Sequence, residues 1–187
     1  MKITVVGRGN LGGGLADLWE RAGHQVTRLG RDGGDVSDAD AVLVAVPGGA
    51  IADAFDRLQG FEGKTMIDAT NLFDQDGSPA APPDGFASNA EFVKSRTKGP
   101  TAKSFNVNFA KLFGRLGEAQ SRPGNLWCGD EEAREVVEQL NRDAGYEPVR
   151  SGPLESAAAQ EALIEVIFGI AEGMGPCVYR FAPVDQL

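Results

Sequence analysis

The segment VVGRGNLGGG, residues 5–14, is the feature of this sequence that most restricts its fold. It places Gly7, Gly9 and Gly12 in the spacing G-x-G-x-x-G, directly after the apolar run KITVV and before a segment of helical period. In that setting the first glycine permits a tight turn, the second lets a pyrophosphate approach the backbone, and the third lets the helix pack on the strand. The helix start then favours phosphate through its N–H groups and dipole. A dinucleotide site is therefore predicted, with a purely structural turn as the alternative.

Short apolar runs, rich in Val and Ile, alternate with segments of helical period. They are KITVVG, HQVTRLG, AVLVAVP, KTMIDAT, AKSFNVN, NLWCGD and YEPVR. AVLVAV is apolar on both faces, which is typical of a central strand covered by helices on each side. Strands separated by helices favour a parallel, doubly wound sheet. We therefore predict an α/β fold of the Rossmann type, with a mainly parallel sheet over residues 1–150 and a C-terminal helical extension over residues 151–187.

The spacing of apolar residues predicts helices at about residues 10–22, 131–144 and 154–173. The last of these has a wide apolar arc, formed by Leu163, Val166, Ile167 and Ile170 with Ile164 and Phe168 beside them. Such a helix is either buried within the monomer or docked against a second subunit in a homodimer. Residues 74–89, rich in Pro, Gly, Asp and Ser, predict a long surface loop of the kind that often covers a site.

The tip of the second strand bears on which dinucleotide is bound. About 20 residues after the glycine turn, an Asp or Glu would bond the ribose 2′-hydroxyl, whereas an Arg would accommodate a 2′-phosphate. The chain reads TRLGRDGG here, with Arg28, Gly30 and Arg31 and no carboxylate at the tip itself. Arg31 follows the strand end, where a planar guanidinium can pair with a phosphate and stack on adenine. These residues favour NADP.

Over nearly its whole length, the chain resembles the coenzyme F420-dependent NADP oxidoreductases and related dinucleotide-binding reductases. The similar blocks, in the same order, are VVGRGNLGGGLADLWERAGHQV, the GR of the second strand tip, DAVLVAVP, MIDATN, SNAEFV, AKSFNVN and WCGDEEAREVVEQLNRDAGYEPVRSGPLE. The resemblance implies NADP and F420 as cofactors, with hydride transfer between them.

In that family, the AVP and DATN segments end at the carboxyl edge of the sheet, beside the nicotinamide. The resemblance therefore implies that Ala45, Val46, Pro47, Ala69, Thr70 and Asn71 surround the nicotinamide half, with Asn106 close by. Ligands of open α/β sheets do collect at this edge, although Pro47 could equally be a strand terminator and Thr70 and Asn71 turn residues. The other predicted cofactor contacts are Gly7, Arg8, Gly9, Asn10, Leu11, Gly12, Arg28, Gly30 and Arg31.

Two features depart from the family pattern. The segment DGGDVSDA, between the second and third predicted strands, is too short for the usual crossover helix, and it places Asp32 and Asp35 beside the presumed phosphate pocket. The chain also reads SFNVNF where the family typically reads AFNT, and its Pro-rich loop is unusual. The first departure bears on the choice of NADP, and the second on the identity of the second substrate.

The sequence shows no Ser-His-Asp, Cys-His or metal-ligand pattern, and its one histidine, His24, lies in the turn AGHQV. We predict neither a catalytic side chain nor a metal, because a nicotinamide supplies the chemistry of hydride transfer and the protein supplies orientation and a dry site. Between Phe92 and Gly117 the chain carries six basic residues and no acidic one. This stretch is interpreted either as a docking patch for an anionic deazaflavin or flavin, or as a solvated helix face and loop.

The composition limits the classes of partner that this protein is expected to bind. A formal net charge of -9 disfavours nucleic acid and anionic membranes, and the sequence contains no apolar stretch of the roughly 18 residues that a membrane span requires. Cys128 and Cys177 form no C-x-x-C pair, as expected of thiols in a reducing cytosol. We expect a cytoplasmic homodimer that transfers hydride between NADP(H) and a second planar redox carrier, with F420 favoured. The alternatives are reduction of a flavin, an imine or a chelated metal, and a non-catalytic NAD(P)-sensing domain.

Overall fold

The strands of the chain build one large sheet and one small one. The computed structural model describes residues 1–186, in which the strands are β1 (Lys2–Val6), β2 (Gln25–Leu29), β3 (Gly34–Asp35), β4 (Ala41–Val44), β5 (Leu58–Gln59), β6 (Thr65–Asp68), β7 (Thr101–Ser104), β8 (Gly124–Gly129) and β9 (Glu147–Gly152). The large sheet has the order β2-β1-β4-β6-β7-β8-β9, while β3 and β5 pair separately. Every neighbouring pair is parallel except β7 and β8. The predicted strands and the mainly parallel, Rossmann-type α/β fold are therefore confirmed.

Helices cover the sheet. They are α1 (Asn10–Arg21), α2 (Ile51–Phe55), α3 (Asn89–Thr97), α4 (Arg134–Asp143) and α5 (Ala157–Met174). The three predicted helices correspond to α1, α4 and α5, the last two preceded by short 3₁₀ turns, whereas α2 and α3 were not predicted. No helix within residues 1–186 has both the length and the apolar character needed to cross a membrane.

The central strands bury side chains on both of their faces, as their sequences predict. Leu43 of β4 points into one core with Trp19 of α1, and its neighbour Val42 points into the other core with Phe55 of α2. Trp19 is fully buried, and its indole N–H donates to the carbonyl of Leu140 at 2.9 Å, which ties α1 to α4. The two cores pack on opposite faces of the paired strands β1 and β4. The glycine turn follows the carboxyl end of β1.

The connection from β2 to β4 has no helix, as its length predicts. It contains only turns and β3, which pairs with β5 after α2. Gly33 has a φ of +71°, and a Cβ at this position would lie 2.0 Å from the carbonyl oxygen of Arg57. This close approach places the chain just after α2 against the tip of β2. The side chain of Arg57 therefore lies at the same place.

Candidate nucleotide-binding site

Two glycines of the turn are required by the fold itself. Gly7 has a φ of +115°, and a Cβ on it would lie 2.1 Å from the carbonyl oxygen of Ala45 in the β4 connection. A Cβ on Gly12 would lie 2.2 Å from the carbonyl oxygen of Gly7. Side chains at these positions would collide with backbone, so both glycines serve the packing of β1, α1 and β4.

Gly9 is different, because other residue types could adopt its backbone conformation. It is the N-cap of α1, with φ -71° and ψ -175°, values that any residue adopts. No described atom lies within 4 Å of the position that its Cβ would take, and no described side chain caps the helix. The first N–H groups of α1 therefore face open space, which is the arrangement that an anion can occupy.

The two following glycines also separate by role. A Cβ on Gly14 would lie 2.5 Å from the ring of Phe113, so this glycine lets the 3₁₀ segment 110–118 approach α1. A Cβ on Gly13 would meet only the carbonyl oxygen of Arg8, at an ordinary 3.6 Å. Gly13 is therefore merely tolerated, and an alanine would fit there.

A cleft of about 1120 Å³ lies over the turn, outside the carboxyl ends of β1, β2 and β4. This is the point at which the order of the sheet reverses, where ligands of such folds collect. Eight predicted cofactor residues line the cleft, namely Gly7, Arg8, Gly9, Gly30, Arg31, Ala45, Val46 and Pro47. Asp32, which the sequence places beside the phosphate pocket, and Asp74, Gln75 and Asp76 of the predicted surface loop line the cleft as well. The lining residues that the sequence did not indicate are Val6, Gly33, Gly49, Ala50, Asp53, Ala54 and Arg57.

Guanidinium groups gather at the β2 end of the cleft. Arg8 donates to the carbonyl of Arg28 at 3.0 Å and lies beside Gly30. Arg57 donates to the carbonyl of Arg31 at 3.4 Å. Arg8, Arg31 and Arg57 all line the cleft and can donate to a phosphate monoester, while Asp32 and Asp53 line it too and Asp53 lies 3.6 Å from the guanidinium of Arg57. Arg57 could not be found from the sequence, because its position depends on the contact with Gly33.

The guanidinium of Arg28 binds α1. This group donates to Asp17 at 2.6 Å and to Glu20 at 3.0 Å, both on α1. Arg28 is not among the described residues that line the cleft. Of the two arginines predicted at this strand tip, the structure therefore places only Arg31 at the site.

The Pro-rich loop forms one wall of the cleft. Its Phe73 carbonyl accepts from the N–H of Gly48 at 2.8 Å, and Gln75 accepts a hydrogen bond from Arg31. Asp74 and Asp76 of the same loop also face the cleft, where hydrogen bonds from Ser78 lower the pKa of Asp76. The loop therefore adds negative charge that offsets part of the arginine cluster.

Ala69, Thr70, Asn71 and Asn106, which were predicted around the nicotinamide, are not among the described residues that line the cleft. Thr70 and Asn106 are each 2% exposed, Ala69 is buried as well, and Asn71 is half-buried. The amide of Asn71 donates to the Asn106 carbonyl at 2.7 Å, and the Asn106 amide returns a bond to Asn71 Oδ1 at 3.0 Å. The structure therefore joins Asn71, which follows β6, to Asn106, which follows β7. Asn10, Leu11 and Gly12 form the first turn of α1.

Lys103 differs from the other cations of the basic stretch. It is fully buried, and its ammonium donates to Asp68 at 2.7 Å, to Glu161 at 2.6 Å and to the Thr70 carbonyl at 2.9 Å. Burial alone would lower the pKa of Lys103, but the two carboxylates together raise it. Three other cations of this stretch form ion pairs, namely Lys94 with Asp130, Arg96 with Asp56 and Arg115 with Glu118. Lys103 therefore fits neither interpretation, whereas the other five cations of the stretch are exposed or half-buried.

The described residues, Met1 to Gln186, contain no group of three His, Cys, Asp or Glu side chains placed to hold a metal ion. Cys128 is a buried free thiol, and burial raises its pKa to about 11. Neither feature provides a nucleophile or an acid-base pair at the cleft.

No protein-family model matches the chain, and no curated protein matches it. Solved structures do. A protein of Arthrobacter sp. FB24 described as a candidate F420-dependent NADP-reductase has a TM-score of 0.77 and 21% identity, over 98% of this chain and 99% of its own. A hypothetical protein of Sinorhizobium meliloti has a TM-score of 0.66 and 21% identity, over 84% of this chain and 88% of its own.

A reductive aminase of Aspergillus terreus, solved with NADPH4, cyclohexanone and allyl amine, has a TM-score of 0.64 and 16% identity. It is matched over 92% of this chain, which spans 62% of the aminase. At such identities the likeness shows the fold. The chain therefore shares, over nearly its full length, the fold of the Arthrobacter protein described as a candidate F420-dependent NADP-reductase, which is the fold that the sequence resemblance implies.

Proposed function

We propose that this chain is an NADP(H)-dependent oxidoreductase of the F420-dependent family, which transfers hydride between the nicotinamide and a second planar redox carrier, coenzyme F420. One observation carries the proposal: an uncapped helix start at Gly9 and an arginine cluster at Arg31 face the same cleft at the switch point of the sheet. The descriptions of the structural neighbours, with NADP in one and NADPH4 in another, support it.

The residues present fit an NADP dinucleotide. The open space at Gly9 and the N–H groups of α1 suit a pyrophosphate, and the guanidinium groups of Arg8, Arg31 and Arg57 suit a 2′-phosphate. The nicotinamide, when bound, supplies the hydride chemistry. Val46 and Pro47 offer an apolar surface on the side of β4, which helps to exclude water from that end.

The test is a binding titration with NADPH and NADH, followed by absorbance scans with F420 and FMN as acceptors. NADPH oxidation with F420 supports the proposal in full. Oxidation with FMN or a cyclic imine instead would retain the oxidoreductase and replace its acceptor. An affinity for NADH about tenfold or more above that for NADPH, a difference of about 1.4 kcal/mol, would contradict the assignment to NADP. Binding without turnover across these acceptors would indicate a nucleotide sensor and overturn the enzyme.

Substituting Gly9→Ala is expected to weaken NADPH binding at least about tenfold, or about 1.4 kcal/mol, because the added methyl group enters the space proposed for the pyrophosphate. The free energy of unfolding should change by less than about 1 kcal/mol, since the backbone at Gly9 accepts alanine. Gly13→Ala is the matched control, because Gly13 is not among the described residues that line the cleft and its methyl group would meet only the Arg8 carbonyl oxygen, at 3.6 Å. Isothermal titration and urea unfolding measure both effects; equal NADPH affinity in the two variants would remove the pyrophosphate from this position.

We further propose that the chain forms a homodimer through α5. One face of this helix is buried in the monomer, where Ile164 and Ile167 pack with Val107 and Leu126. The opposite face consists of Ala162, Val166, Gly169, Ile170 and Gly173, all exposed. Val166 is 57% exposed and Ile170 45%, and Met174 at the end of the helix is 72% exposed. An apolar face of this kind is typical of subunit contacts.

The double variant V166K/I170K is therefore expected to be monomeric, while the wild-type chain sediments as a dimer. Each chain contributes two lysines to the symmetric contact, so the dimer would bury four charges, at a cost that the apolar face cannot offset. Analytical ultracentrifugation measures the masses, with Glu165→Lys as a charge control on the same helix. A wild-type chain that sediments as a monomer at micromolar concentration would show that α5 is no interface.

A further inference from the structure

Two buried acceptor atoms on touching residues lack a donor. Glu161 of α5 is 2% exposed and Asn89 of α3 is fully buried. The backbone N–H of Asn89 donates to Glu161 Oε1 at 3.1 Å. In the part of the chain that the structure describes, neither Glu161 Oε2 nor Asn89 Oδ1 has a hydrogen-bond partner. Buried polar atoms are rarely left in this condition.

The hydrogen bonds of Glu161 are strongly asymmetric. Oε1 accepts two, from the Lys103 ammonium at 2.6 Å and from Asn89 N–H, whereas Oε2 has none from any described residue. An ionised carboxylate accepts at both oxygens, but a carboxylic acid accepts at one and donates from the other. The asymmetry is that of an acid whose O–H is on Oε2.

Asp68, the other carboxyl group beside Lys103, shows the opposite pattern. Its Oδ2 accepts from Lys103 at 2.7 Å and its Oδ1 from the N–H of Thr70 at 2.9 Å, so both oxygens are used. Lys103 and an ionised Asp68 already balance each other. The side chains of Lys103, Asp68 and Glu161 have no solvent exposure. If Glu161 were ionised as well, this buried group would carry a net charge of one negative unit, which costs free energy.

We propose that Glu161 is held as a neutral carboxylic acid, whose Oε2–H donates to Asn89 Oδ1, and that it acts as a positioning residue for the inner end of the cleft. The amide of Asn89 donates onward to the Thr70 hydroxyl at 2.8 Å and lies against Gly48, directly after Pro47. The proton on Glu161 thereby fixes the orientation of the Asn89 amide. Only this last link, to the nicotinamide end, rests on the proposed function.

The surroundings of Glu161 are consistent with a neutral acid. Burial raises the pKa of Glu161 and Asp68 raises it further, against the opposite effects of Lys103 and of the N–H at the start of α3. Cys128 on β8 has a pKa raised to about 11 and is uncharged at neutral pH. Glu155, in the turn before α5, is exposed and faces solvent. The ionic groups that act on Glu161 are therefore Lys103 and Asp68.

Infrared difference spectroscopy tests the proton directly. At neutral pH the spectrum of wild type minus Glu161→Gln should contain the carbonyl band of a protonated carboxylic acid, whereas wild type minus Glu165→Gln should not, since Glu165 is exposed on the same helix. An ionised Glu161, bridged to Asn89 by a buried water, would give only carboxylate bands, and the proposal would then be wrong.

The pH dependence of stability gives a second, independent measurement. The ordinary pKa of Glu161 is 4.5 and folding raises it, so the stability of the wild type relative to Glu161→Gln is greatest below pH 4.5 and falls as pH rises through the folded value. As the pH rises above 4.5, the urea midpoint of Glu161→Gln should therefore increase relative to that of the wild type. A constant difference, or a variant that loses ground over this range, contradicts the proposal.

The positioning role is measured by NADPH affinity. Glu161→Gln retains one acceptor and one donor, so its affinity should stay within about twofold of the wild type, whereas Glu161→Leu, which lacks both, should bind at least about tenfold more weakly. Equal affinities in the two variants would remove the positioning role. If the wild type does not bind NADPH, the proposed function fails, while the infrared and stability measurements still decide the protonation of Glu161.

Discussion

Replacing Lys103 with methionine is expected to lower the free energy of unfolding by about 3–5 kcal/mol, because it leaves Asp68 as a buried charge without its partner. The Lys103 ammonium is fully buried and donates to two carboxyl groups and the Thr70 carbonyl, so no solvent is present to replace it. Methionine preserves most of the volume and removes the charge. Urea unfolding at neutral pH measures the loss.

Lys94→Met is the matched control. Lys94 also forms an ion pair, with Asp130 at 2.6 Å, but its side chain is 40% exposed, and such pairs contribute about 0–1 kcal/mol. A second comparison identifies the unpaired charge, since K103M/D68N should be more stable than K103M alone. A Lys103→Met protein as stable as Lys94→Met would show that the buried ion pairs contribute little.

Substituting Arg31→Glu is expected to weaken NADPH about 10- to 150-fold and to leave NADH nearly unchanged. A hydrogen bond to a charged group contributes about 1.5–3 kcal/mol, and the substituted carboxylate also repels the 2′-phosphate, which NADH lacks. Gln75 and the aspartates of the loop are unchanged in this variant, so the effect combines the loss of the guanidinium with the added carboxylate. Paired titrations at fixed ionic strength measure the ratio of the two affinities.

Arg28→Glu provides the control for this prediction. Arg28 lies three residues earlier in the same strand tip, but its guanidinium is bonded to Asp17 and Glu20 on α1. Its substitution should therefore leave both nucleotides bound as in the wild type. A selective loss of NADPH in Arg28→Glu, or no loss in Arg31→Glu, would move the 2′-phosphate site away from Arg31.

The structure also explains which helices the sequence revealed. α1 and α4 each bury a regular apolar stripe, so spacing alone predicts them. α3 buries Ala90, Phe92 and Val93 without such a stripe. Its start is nevertheless encoded in SNAE, because Ser88 accepts from the N–H of Glu91 and Glu91 accepts from the N–H of Ala87. A search for this capping box would have found the helix that carries Asn89.

The amino-acid sequence by itself determined the sheet, the glycine turn and the arginine after β2, because each depends on residues that are neighbours along the chain. Alternation and spacing of apolar residues specify strands and helices locally, and a turn of three glycines specifies its own backbone. The position of the cleft followed from these elements and the rule that ligands meet the carboxyl ends of parallel strands.

Only the tertiary structure decided the burial and the ion-pair partners of the charged residues. Lys103 looks like part of a basic stretch until β6 and β7 pair in the register that sets it opposite Asp68, and α5 brings Glu161 to it from 58 positions away. The sequence favours Arg31 over Arg28 by its place after the strand end, but only the structure shows that carboxylates of α1 bind the guanidinium of Arg28. The energy of a charge depends on burial and on partners that are distant in the chain, so strand register and helix packing determine it.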